Sequence, residues 1–108
     1  MAALLEYRVV FANLPWQYPM PGVRHRFQDH GGTRLRLVEY TKEMEPHWCY
    51  RGHVGMILEG RFEIRFDDCV ETYEPGDGLF IPSGEQNRHM AVTLTERVLA
   101  LFVEESPA

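Results

Sequence analysis

His47, Cys49 and His53 fall at even spacing within Pro46-His47-Trp48-Cys49-Tyr50-Arg51-Gly52-His53, and Asn87 and His89 stand two apart in a later stretch. On an extended strand successive side chains alternate, so even spacing puts these groups on one face. If the two faces meet inside one sheet structure, imidazole, thiol and amide groups converge in a single cavity. Neutral imidazole and thiolate favour zinc or copper, with ferrous iron next, over magnesium or calcium. A divalent transition metal is expected there, zinc first and iron or copper as alternatives. Cys49, His53 and His89 would hold it, and His47 would complete or flank the site. Three protein ligands leave a position open for water or substrate. Arg51 shares parity with Cys49 and His53 and could clamp a substrate carboxylate. Asn87 would add a hydrogen bond to the substrate.

The elements that must position these groups read as short strands. Alternating or apolar runs are separated by Gly, Pro and Asp turns every eight to twelve residues, the pattern of a sandwich or barrel, and no helix of useful length suggests itself. Strands are expected over Leu5 to Phe11, Val23 to Asp29, Thr33 to Thr41, His47 to Leu58 with a kink at Gly52, and Arg61 to Phe66. Val70 to Tyr73, Leu79 to Ile81, Asn87 to Val92 and Arg97 to Val103 complete the set. Asn13 to Gly22, with three prolines, reads as a looped connection, and Lys42 to Pro46 as a loop. Strands without crossover helices imply antiparallel sheets in an all-β fold.

With 108 residues the chain is one domain, residues 1–108, large enough for a core without metal or disulfide staples. The net charge of −5 argues against nucleic acid, which needs a basic face. Arg24, Arg26, Arg34 and Arg36 alternate with other residues and read as a solvated outer face. No apolar run is long enough to span a bilayer, and Glu6 interrupts any apolar leader, so a cytoplasmic location is the expectation. Cys49 and Cys69 are then expected to stay unpaired. His25 and His30 read as surface residues; Glu39 reads first as a carboxylate exposed at a strand end, with a cavity-facing acid–base group as the alternative. Trp48 and Tyr50 alternate out of the cavity. In Val54 to Leu58 both faces are apolar, so the outer one needs a cover. Either the segment around Trp16 or a second subunit could supply it, and a homodimer is expected.

The segment from Glu45 to Val92 resembles the cupin superfamily of small jelly-roll barrels. That family's first motif has histidines at i and i+2, a glutamate at i+6 and a glycine seven residues later. His47, Cys49, His53 and Gly60 fill that frame. Its second motif, Gly-Asp, an apolar stretch, then Pro-x-Gly-x-x-His, fits Gly76-Asp77, Leu79-Phe80-Ile81, Pro82-Ser83-Gly84 and Asn87. Gly and Pro thus occur where the turns require them. The resemblance implies an antiparallel double-stranded β-helix. It does not carry over the usual three-histidine, one-carboxylate site, since Cys49, His53 and Asn87 depart from it and His89 stands two residues beyond Asn87. The chain is also similar to small stand-alone cupins with a Trp-Cys-x-x-Gly-His core. The function expected is a metal-binding small-molecule cupin acting on a polar, anionic metabolite, with isomerase, lyase and dioxygenase chemistry all open. The alternative is a non-catalytic metabolite-binding or sensor cupin without metal.

Overall fold

The computed structural model describes residues 7–107. Ten strands form two antiparallel sheets: β1 (Gln17–Met20), β2 (Val23–His30), β3 (Thr33–Thr41), β4 (Trp48–Cys49), β5 (His53–Glu59), β6 (Phe62–Arg65), β7 (Val70–Tyr73), β8 (Gly78–Ile81), β9 (His89–Thr93) and β10 (Arg97–Glu105). The larger sheet runs β1-β2-β3-β10-β5-β8 and the smaller β4-β9-β6-β7. This is the expected all-β jelly-roll architecture.

Alternation decides which residues meet between the sheets. In β10, Val98, Ala100 and Phe102 are buried while Leu99, Leu101 and Val103 turn outward. In β6 the buried pair is Phe62 and Ile64. β10 and β3 pair over their full length, from Arg97 opposite Thr41 to Glu105 opposite Thr33, which brings Val38 onto the same inner face. Phe62, Phe102, Ile57, Val38 and Val98 are almost wholly buried. Each such side chain contributes about 1.5–3 kcal/mol relative to exposure.

Several boundaries differ from the sequence expectation. Of the strand expected over Leu5 to Phe11, Leu5 and Glu6 lie outside the described residues. Tyr7 to Val10 is irregular, and a 3-10 turn covers Phe11–Asn13. The proline-containing Gln17–Met20 stretch, expected as a loop, is an edge strand that pairs only with β2. An edge position tolerates Pro19 because one side of the strand needs no donor. The single strand expected from His47 to Leu58 is two strands in different sheets. No helix among the described residues is long and apolar enough to cross a membrane.

Candidate functional site

The break between β4 and β5 builds the site. Cys49 sits in the smaller sheet directly opposite His89, the first residue of β9. Directly opposed residues of an antiparallel pair hold their Cβ atoms about 5 Å apart, so sulfur and imidazole meet by register alone. The chain then leaves that sheet through Tyr50, Arg51 and Gly52 and enters the larger one at His53, opposite Ile81. Gly52 permits the crossing, because a Cβ there would stand 2.3 Å from the Ile81 carbonyl oxygen and 2.6 Å from the Ser83 nitrogen. Its own N–H donates to Ser83 Oγ at 2.7 Å, and Gly84 N–H donates to the Tyr50 carbonyl at 3.0 Å. The two glycine-containing segments are thereby fastened to each other.

Cys49 and His53 consequently do not share a strand face. They converge because each points from its own sheet into the space between the two. One potential ligand atom from each of Cys49, His53 and His89 lies within 4.8 Å of the others. His89 is 3% exposed and its Nδ1 stands 3.1 Å from the Asn87 carbonyl oxygen. Donation from Nδ1 leaves the Nε2 lone pair free, and that buried atom has no partner within the protein. His53 Nδ1 is also buried without a partner. The His53 ring stands 5.2 Å from that of His89 and 4.8 Å from Phe102.

His53 and His89 stabilise the thiolate and pull the Cys49 thiol down to about 5. Burial lowers the pKa of His89, but the Cys49 sulfur and the Asn87 carbonyl outweigh it and leave the imidazole raised. Buried polar atoms are rarely left without partners, because each costs desolvation energy that nothing returns. Two unpartnered imidazole nitrogens beside a thiolate form a donor set suited to zinc, copper or ferrous iron.

The site opens into a cavity of about 270 Å³ between the sheets. His47 lies at its exposed rim with Nδ1 3.0 Å from the Glu45 carbonyl oxygen, outside the Cys49–His53–His89 group. Arg51 is also at the rim, its side chain 54% exposed and Nη2 3.9 Å from Glu104 Oε1. Asn87 closes a 3-10 turn, Glu85–Asn87, before β9 begins, so the alternation rule does not relate its side chain to His89. Its backbone carbonyl makes the contact with His89.

Some cavity residues were misread in the sequence. Arg36, expected on a solvated face, and His25, expected at the surface, both line the cavity. Arg36 shares strand parity with buried Val38 and with Tyr40, the signal that could have placed it. Its Nη1 stands 3.1 Å from His25 Nδ1, Nη2 donates to Glu104 Oε2 at 3.3 Å, and Nε pairs with Glu104 Oε1 at 2.8 Å through a contact too bent to be a hydrogen bond. Burial, then the positive charge of Arg36, lowers the His25 pKa, which keeps its Nδ1 an acceptor. Tyr40 was also missed. Burial pushes its phenol up to about 12, so it remains a donor at neutral pH. Glu39 is not exposed as expected: it faces away from the cavity, 7% exposed, held by Arg24 and Arg97.

No protein-family model matches the sequence, and a search of curated proteins finds no match. Among solved structures the chain is similar to KdgF from Halomonas sp., at 21% identity and a TM-score of 0.74 over 92% of this chain and 94% of that one. An RmlC-like cupin from Shewanella frigidimarina aligns at 17% identity and a TM-score of 0.72, over 92% of this chain and 91% of the other. A sugar phosphate isomerase from a cupin superfamily, from Silicibacter pomeroyi, aligns at 17% identity and a TM-score of 0.70, over 93% and 76%. At these identities the likeness is one of fold, and it bears out the cupin resemblance at that level. It carries no information on the Trp48–His53 core.

Proposed function

We propose that this chain, a jelly-roll barrel with the cupin fold, binds a divalent transition metal through Cys49, His53 and His89. The 270 Å³ cavity beside them would be its small-molecule site. The observation that carries the proposal is the pair of buried imidazole nitrogens, His53 Nδ1 and His89 Nε2, left without partners beside a sulfur. Zinc suits this donor set first, with iron or copper as alternatives. His47 flanks the site from the rim. The Asn87 carbonyl orients His89, as hydrogen bonds to a ligand's second nitrogen commonly do.

The metal, when bound, supplies Lewis acidity and a template for a coordinating ligand oxygen. The rest falls to the chain's own groups. Arg51 and Arg36 favour an anionic ligand group, the Tyr40 hydroxyl offers a donor, and the apolar walls exclude water. Isomerase, lyase and dioxygenase chemistry all begin from such a site, and an isomerase among the structural relatives supports an enzymatic role. A cytoplasmic location suits two free thiols, Cys49 and Cys69.

The test is elemental analysis of protein purified without affinity tag or chelator. Close to one equivalent of metal per chain is expected, lost in folded Cys49→Ser and His53→Ala variants. A metal-free native protein whose cavity still takes up an organic ligand would favour the non-catalytic sensor.

A second copy of the chain is proposed to cover the outer face of the larger sheet. Val54, Met56, Leu58, Phe80 and Val103 are all exposed there, Phe80 at 80%. Exposed apolar patches of this kind mark interaction surfaces. The segment around Trp16 does not cover them: its indole lies against Arg24 and Arg26 of β2, and β3 and β10 separate that strand from β5. Light scattering at micromolar concentration should give the mass of a dimer, and Phe80→Glu should return it to a monomer. A wild-type mass equal to one chain removes this assembly.

A further inference from the structure

The cavity has walls of two kinds. Val23, Met44, Phe62, Ile64, Leu79 and Phe102 form its body, all of them buried. The polar groups gather elsewhere. Phe102 has its ring centroid 4.8 Å from the His53 ring on its β5 side and 5.6 Å from the Arg36 guanidinium on its β3 side, so this one ring stands between Arg36 and the Cys49–His53–His89 cluster along the cavity wall. Arg51 joins them through Glu104, which lies 3.9 Å from Arg51 and 2.8 Å from Arg36. Two guanidinium groups against one carboxylate leave one positive charge, and a divalent metal would exceed the charge of the Cys49 thiolate, so the polar end favours an anion.

Along the apolar body only the Tyr40 hydroxyl, on a ring 4.7 Å from that of Phe62, could receive a ligand hydroxyl, so at most one or two of several would find a partner. A polyhydroxylated ligand would place the rest against methyl groups and ring carbons, and each buried hydroxyl without a partner costs roughly tenfold in affinity. A ligand with an apolar body meets no such penalty and gains from the area it removes from water. Taking the cavity as the ligand site, as proposed above, we infer that it takes a small monocarboxylate with an apolar body. The carboxylate would lie at the polar end of the cavity, within reach of Arg51 and Arg36 on the side of the Cys49–His53–His89 cluster, and the hydrocarbon would lie among Val23, Met44, Phe62 and Ile64. This excludes sugars and sugar acids as the preferred cargo.

Calorimetric titration of the zinc-loaded full chain with hexanoate and with gluconate tests the inference. The two acids match in carbon count and charge and differ in hydroxyl groups. Hexanoate is expected to bind at least about tenfold more tightly. Ala91→Leu, which fills the cavity from β9, should weaken hexanoate binding by roughly tenfold while zinc content stays unchanged. Arg51→Gln, at an exposed rim position, should weaken it severalfold and serves if the filled variant does not fold. Gluconate binding as tightly as hexanoate, or no hexanoate binding to zinc-replete protein, overturns the inference and leaves the metal site standing. A chain that retains no zinc yet still prefers hexanoate defeats the metal reading instead.

Discussion

Two groups of ionisable side chains lie on opposite sides of the larger sheet, one on its outer face and one between the sheets, and are built differently. On the outer face, Glu39 Oε1 accepts from Arg24 Nε at 2.8 Å and Oε2 accepts from Arg24 Nη2 at 3.2 Å and Arg97 Nη1 at 2.7 Å. Arg97 passes its other nitrogen to Glu59. Both carboxylate oxygens of Glu39 are used. On the inner side, Cys49, His53 and His89 stand together with two imidazole nitrogens uncommitted. The outer group is satisfied within the protein, whereas the inner group keeps two buried imidazole nitrogens that a ligand could engage. Polar residues that satisfy one another are explained by folding, and those left unsatisfied in a buried place point to binding.

The largest effect expected from this contrast is on metal affinity. His89→Ala and Cys49→Ser should each weaken zinc binding by at least about a hundredfold, measured by competition with a chromophoric chelator, with circular dichroism unchanged. Retained affinity in both variants would erase the distinction between the two groups.

The outer group should answer to stability instead. Glu39→Gln removes the charge that Arg24 and Arg97 share and should cost about 1–3 kcal/mol in urea unfolding while zinc content stays the same. The contribution has a defined pH dependence. Hydrogen bonding from Arg24, against a smaller opposing effect of burial, holds the Glu39 carboxyl below its ordinary value of 4.5. Its stabilisation is therefore fully present above that value and is lost as pH falls through the depressed one. The wild-type and Glu39→Gln stability curves should converge as the solution is acidified below that range.

A smaller effect separates the two cysteines. Zinc should slow alkylation of Cys49 by iodoacetamide by about tenfold and leave exposed Cys69 unaffected, as peptide mapping would show. Equal slowing of both thiols would argue against a site at Cys49. The smallest effect belongs to Asn87→Ala, expected to change zinc affinity by no more than about threefold, because the backbone carbonyl holds His89. A loss as large as that of His89→Ala would give the Asn87 side chain a direct part in the site.

The scaffold was legible because its signals are local. The Gly76-Asp77 and Pro82-Ser83-Gly84 turns and the alternation in Phe62–Arg65 each follow from a few adjacent residues. The site was legible in its residue types and less so in its route. Strand parity placed Cys49 and His53 on one face, but the chain changes sheets between them, and the close approach of Gly52 to Ile81 and Ser83 is long-range information. Arg36 was misplaced for a related reason. Alternating arginines suggest a wet face and mask the parity of Arg36 with Val38 and Tyr40, while its place opposite buried Phe102 and its reach to Glu104 follow from pairing with β10. Glu39 shows the converse: it faces outward, yet neighbours from β2 and β10 bury it.

X-ray absorption at the zinc edge of the zinc-loaded native protein tests the central claim most directly. The Cys49–His53–His89 cluster predicts one sulfur neighbour at about 2.3 Å and two imidazole nitrogens at about 2.0–2.1 Å, with the sulfur shell absent in Cys49→Ser. A first shell of oxygen and nitrogen alone, or a sulfur signal that survives in Cys49→Ser, would contradict it.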